Sequence, residues 1–79
     1  MLNNRIESFD FTSQNRRPSV RQIIARWEAA GRPYEFSVEY GETWVEFRYS
    51  WIGWEWIGPS RRIDAKAVVN VLETYGKDR

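Results

Sequence analysis

The side chains here with the most chemical potential are carboxylates. Glu35, Glu39, Glu42, Glu46 and Glu55 crowd into residues 33–58 against Arg48 alone, a local balance of −4, while residues 1–32 balance at +3 and residues 59–79 at +2. Positions on one face of a strand stand about 6.5–7 Å apart. Such spacings overlap the roughly 5–9.5 Å used by a glycosidase-like carboxylate pair, and they resemble the spacing of backbone phosphates. Catalysis is not expected, because the chain contains neither histidine nor cysteine, which removes the commonest general base and every thiolate nucleophile. The glutamates also alternate along strands, on an open face and not in a cleft that excludes water. Oxygen ligands on so flat a surface would hold a divalent cation weakly, so neither a metal nor a cofactor is expected. An acidic face bearing an aromatic is suited instead to docking in a basic groove that normally holds nucleic acid, where charge complementarity speeds encounter. An ordinary solvated face is the simpler alternative.

These carboxylates are positioned by a hairpin that can be written out residue by residue. Tyr34, Phe36, Val38 and Tyr40 alternate with Glu35, Ser37 and Glu39, and Val45, Phe47 and Tyr49 alternate with Glu46 and Arg48. Period two denotes half-buried strands. A two-residue turn at Gly41 and Glu42 sets Val38 opposite Val45, Phe36 opposite Phe47 and Tyr34 opposite Tyr49. The other face then pairs Glu35 with Arg48, Ser37 with Glu46 and Glu39 with Trp44, and a one-residue slip would bury the glutamates. A second turn over residues 50–53 restores the phase for Trp54 and Trp56, pairing Tyr49 with Trp54, Phe47 with Trp56 and Arg48 with Glu55. A single long strand with a bulge at Gly53 is the alternative.

Tryptophans supply the other candidate contacts. Trp44 falls on the acidic face by register, as a lone surface aromatic or as an anchor flanked by Glu39 and Glu46. Trp51 and Ile52 sit at the proposed turn, where an exposed apolar pair would mark an interaction site. Packing of that pair beneath the N-terminal segment, against Phe9 or Phe11, is the slightly favoured alternative. Trp27, Trp54 and Trp56 share the phase of core residues and are assigned to the core.

Two helices flank the hairpins. Ser19 and Gln22 form a capping-box pattern ahead of Val20, Ile23, Ile24, Trp27 and Ala30, and Gly31 followed by Pro33 closes the helix. Asp64 caps the second helix, with Ile63 and Val68 as a hydrophobic staple and Ile63, Ala67, Val68, Val71, Leu72 and Tyr75 as its apolar stripe, ended by Gly76. Arg61, Arg62 and Lys66 open this second helix, where cations are unfavourable unless an anion is held there. Solubility accounts for them equally well. Arg16, Arg17, Pro18 and Ser19 read as a basic phosphorylation motif, although the capping role of Ser19 is the stronger reading.

Seventy-nine residues make one domain, and a chain so short buries only somewhat over ~60% of its unfolded surface. Thirteen aromatic residues, five of them tryptophan, must build the core, at roughly 150–250 Å² apiece. No leader-like or membrane-spanning apolar run is present, and the expected location is the cytoplasm. The fold expected is α+β: a three-stranded antiparallel sheet with two helices packed on one face, in the order α-β-β-β-α. Residues 1–17 form an N-terminal segment, either a strand carrying Glu7, Phe9 and Phe11 on one side or an extended arm, and residues 18–79 form a single α+β domain.

This order, with basic residues opening the last helix, resembles the double-stranded-RNA-binding domain. The resemblance covers residues 19–76 and implies phosphate contacts by Arg61, Arg62 and Lys66. Gly41 and Glu42 replace that family's longer hairpin loop, and Val68, Val69 and Val71 replace its alanine-rich helix, so the likeness is of architecture and not membership. In size and in lack of catalytic residues the chain is also similar to small phage inhibitors of host defence, anti-CRISPR proteins among them. The function expected is a non-catalytic protein-binding module that occludes a nucleic-acid-handling partner through Glu35, Glu39, Trp44, Glu46, Trp51, Ile52 and Glu55. The alternative is nucleic-acid binding through Arg61, Arg62 and Lys66, with affinity that falls steeply with salt. Pairing between copies of the chain through sheet edges or aromatic tips is a third option, and a winged helix-turn-helix is disfavoured because one clear helix precedes the hairpin.

Overall fold

The computed structural model describes residues 3–59 and 61–76, ordered β1 (Asn3–Asp10), α1 (Val20–Ala29), β2 (Pro33–Tyr40), β3 (Thr43–Ser50), β4 (Gly53–Ile57) and α2 (Ala65–Gly76). Met1, Leu2, Ser60, Lys77, Asp78 and Arg79, which enter the leader, loop and charge readings above, lie outside the described residues.

The central hairpin has the register its alternation requires. Glu35 pairs with Arg48, Phe36 with Phe47, Ser37 with Glu46, Val38 with Val45 and Glu39 with Trp44, and the Tyr34 and Tyr49 rings stack at 5.9 Å. Gly41 has φ 62 while Glu42 is not left-handed, the pattern of a turn with glycine at its first central position. The second turn is equally regular, pairing Ser50 with Gly53, Tyr49 with Trp54, Arg48 with Glu55 and Phe47 with Trp56. The bulged single strand is thereby excluded.

The N-terminal segment takes its strand alternative, giving four strands in the order β1-β2-β3-β4. The sheet departs from expectation in being mixed, because β1 runs parallel to β2 with Glu7 opposite Phe36 and Phe9 opposite Val38. The three-stranded antiparallel description therefore holds for β2 to β4 only. Parallel neighbours need a crossover connection, here α1, and the pairing of residues 3–10 with residues 33–39 is fixed by that crossover and by burial of Phe9 and Phe11, not by any local pattern.

One sheet face is the core. Phe9, Phe36, Val38, Val45, Phe47 and Trp54 are buried there with Ile23, Ile24 and Trp27 of α1 and Val68, Val69 and Leu72 of α2. Trp27 stands at the junction: its ring lies 6.0 Å from Trp54, 5.1 Å from Tyr75 and 6.5 Å from Phe36, and its indole N–H donates to the Pro33 carbonyl at 2.9 Å. Such edge and tilted arrangements suit the ring quadrupoles. Both helix caps form. Ser19 Oγ accepts from the Gln22 amide and Gln22 returns the bond to the Ser19 amide, and Asp64 accepts from the Ala67 amide with Ile63 and Val68 buried as its staple. At the end of α1, Gly31 and then Arg32 take positive φ, 94 and 57, and Arg32 is held by Glu28 at 3.0 Å and over the Tyr75 ring.

Candidate functional site

Both helices cover the same sheet face, so the opposite face of all four strands is open. Its three rows follow from the register. Asp10, Glu39 and Trp44 lie side by side, then Ser8, Ser37, Glu46 and Ile57, then Ile6, Glu35, Arg48 and Glu55. The face thus gathers Glu35, Glu39, Glu46 and Glu55 as expected, and β1 adds Asp10. Arg48 stands between Glu35 and Glu55 in register, but among the described residues the ion pair within contact distance is Arg32 with Glu28. Glu55 instead accepts from the Ser50 hydroxyl at 3.0 Å. The face therefore keeps its negative field.

Apolar groups frame it. Trp44 is 43% exposed, and a Cβ on Gly58 would fall 3.0 Å from two of its ring carbons, so the indole rests on bare glycine backbone beside Ile57, which is half exposed. At the other end of the β3–β4 hairpin Trp51 is 95% exposed and Ile52 also projects. Packing of that pair against Phe9 or Phe11 is corrected here. Strands β2 and β3 separate the turn from β1, and both phenylalanines are buried with the Arg26 guanidinium above them at 5.3 and 5.2 Å. Trp51 lies seven positions beyond Trp44, roughly 23 Å at strand rise, and the acidic rows lie between them.

Trp56 also departs from its assignment. It faces the core side by register with Phe47, yet it is 39% exposed, because β4 is the sheet edge and the helix layer that covers Trp54 stops short of it. Ile6 and Ile57 were not among the expected contact residues. Ile57 shares the parity of Glu55 and could have been found from that, whereas Ile6 required knowledge that β1 joins the sheet.

A carboxylate at the margin of the face is perturbed. Asp10 is held below its ordinary value of 3.8, first by the Thr12 hydroxyl and then by the Thr12 amide, which donates at 2.8 Å. Thr12 Oγ1 meanwhile accepts from the Gly41 amide at 3.0 Å, tying the end of β1 to the β2–β3 turn. Among the described residues no cluster of acidic side chains could hold a metal ion, and no helix is long and apolar enough to cross a membrane.

Arg61 and Arg62 lie together at the start of α2, in a cleft shared with Arg17. Lys66 is exposed on the first helical turn and does not line it. The fourth, parallel strand also separates this fold from the α-β-β-β-α order of the double-stranded-RNA-binding domain. Comparison with protein-family models, with curated proteins and with solved structures finds no match for this chain.

Proposed function

We propose that this protein is a non-catalytic protein-binding module that docks its open sheet face and β3–β4 hairpin onto a basic surface of a partner, occluding a site that otherwise handles nucleic acid. The observation that carries this reading is the location of the exposed apolar groups. Among the described residues, five of the six large hydrophobic side chains left exposed, Trp44, Trp51, Ile52, Trp56 and Ile57, belong to that one hairpin. Fully burying such a group is worth roughly 1.5–3 kcal/mol, most of which is forgone at Trp51 and part at half-buried Trp44, Trp56 and Ile57, and large apolar side chains concentrated on one element mark an interaction surface. Tryptophan is also the residue type most enriched among binding hot spots.

The carboxylate rows between the aromatic ends supply orientation. Glu39, Glu46, Glu35 and Glu55 present negative charge at strand spacing, which favours a partner surface built to hold phosphates. An inhibitor acting by occlusion needs no catalytic group, in keeping with a chain that has no histidine or cysteine.

The test is affinity capture from nuclease-treated lysate of the source cell, comparing the native chain with Trp51→Ala and with Glu39→Lys/Glu46→Lys. A protein retained at near-equal stoichiometry by the native chain and lost from both variants supports the reading. Equal retention by all three, with the variants folded by circular dichroism, overturns it.

A further inference from the structure

The end of the molecule where both helices begin carries a second surface, independent of the open sheet face. Arg17, Arg61 and Arg62 line a cleft of about 500 Å³ together with Ser19 and Asp64. Its volume falls within the range of small-ligand sites. None of the three guanidinium groups has a carboxylate within contact distance among the described residues, although bringing like charges together is unfavourable. Arg62 is steered by the Tyr40 ring, 6.0 Å away, and with Arg61 it also borders an adjoining hollow that holds Glu42.

The other polar side chains of the cleft serve as helix caps. Ser19 Oγ accepts from the Gln22 amide at 3.1 Å, and Asp64 Oδ1 accepts from the Ala67 amide at 3.2 Å. Both helix ends are therefore capped from within, and the attraction for an anion comes from the arginine side chains. Three arginines against Asp64 leave a formal surplus of two positive charges facing the cleft. A phosphate monoester dianion matches that surplus, and its three terminal oxygens can accept paired N–H groups from more than one guanidinium fork, where a carboxylate brings one negative charge and two oxygens.

We propose that this cleft is a phosphate-monoester site of nucleotide size, formed by Arg17, Arg61 and Arg62, which takes either a free nucleoside monophosphate or the phosphorylated end of a nucleic-acid strand. The three residues come from two segments far apart in the chain, the approach to α1 and the approach to α2.

The experiment is an amide-shift titration of the full chain with adenosine 5′-monophosphate, with adenosine, and with a short single-stranded oligonucleotide bearing either a 5′ phosphate or a 5′ hydroxyl. Saturable shifts confined to Arg17, Ser19, Val20 and residues 61–64 are expected with the monophosphate and not with adenosine. Arg61→Ala/Arg62→Ala should weaken that binding by about tenfold or more, as loss of charge-assisted hydrogen bonds implies, while leaving the shifts of buried Trp27 and Phe36 unchanged. Binding of the 5′-phosphorylated strand alone assigns the site to strand ends, and binding of the mononucleotide without either strand assigns it to free nucleotides. Equal binding of both strands, equal shifts with adenosine, or no saturable shift overturns the proposal.

Discussion

Trp27 concentrates the residue-scale energetics of the core. It is fully buried, touches the rings of Phe36, Trp54 and Tyr75, and donates to the carbonyl of buried Pro33. Trp27→Phe keeps an aromatic ring but leaves that carbonyl unpaired, at about 1–3 kcal/mol, and opens space that adds to the loss. Urea unfolding should show a lower midpoint with an unchanged slope. Asp10 gives a second prediction at this scale. Its folded pKa lies below the ordinary 3.8 because Thr12 donates to its ionised form, so it stabilises the fold above the unfolded pKa, and that contribution is lost as pH falls through the lower folded value. Thr12→Val removes the hydroxyl and keeps the amide, so the Asp10 carboxyl should titrate closer to 3.8 by carbon-detected NMR. An unchanged titration would remove the hydroxyl as the leading cause.

At the scale of elements, the exposed edge of β4 is protected by a helix. Glu73 of α2 accepts from the Trp54 amide at 2.9 Å, closing one of the backbone groups that an edge strand otherwise offers to other chains. Gly53 makes room for it: φ is 112, and a Cβ there would lie 2.6 Å from the Glu73 carboxylate. Gly53→Ala should therefore destabilise the protein by about 1–3 kcal/mol through backbone strain and should speed hydrogen exchange at the Trp54 amide. Glu73→Gln keeps an acceptor oxygen and should retain most of that protection. If Trp54 exchanges equally fast in the native protein and in Glu73→Ala, the carboxylate does not guard the edge. Both turns and both hairpin registers were legible because Glu35, Ser37 and Glu39 cannot exchange faces with Phe36 and Val38 without burying charge. The caps at Ser19 and Asp64 were legible because their partners lie three residues away.

For the whole molecule, charge is segregated by surface. The open face carries Asp10, Glu35, Glu39, Glu46 and Glu55 around Arg48, while Arg17, Arg61 and Arg62 converge at the helix beginnings. If the acidic face steers the protein to a basic partner, the association rate should fall as salt rises from 50 to 500 mM while dissociation changes little, because screening acts on encounter more than on the formed contact. Stopped-flow or surface-resonance kinetics would measure this, and a salt-independent association rate would assign recognition to the aromatic groups alone.

Local order is legible in the residues themselves: the pairing of Tyr34 to Tyr40 with Thr43 to Tyr49, the turn over residues 50–53, the acidic outer parity and the two capped helices. Each depends on residues a few positions apart, where strand alternation or helical spacing has one low-energy solution. Long-range packing sets the rest: β1 lies parallel to β2, Ile6 and Asp10 thereby join the open face, Trp51 and Ile52 stay clear of Phe9 and Phe11, Trp56 is left uncovered at the edge, and Arg17 meets Arg61 and Arg62. Those contacts join segments tens of residues apart, and no periodicity encodes them. They are set by how two helices share a single aromatic face, with Trp27 wedged between Phe36, Trp54 and Tyr75, and by how far that helix layer reaches across four strands.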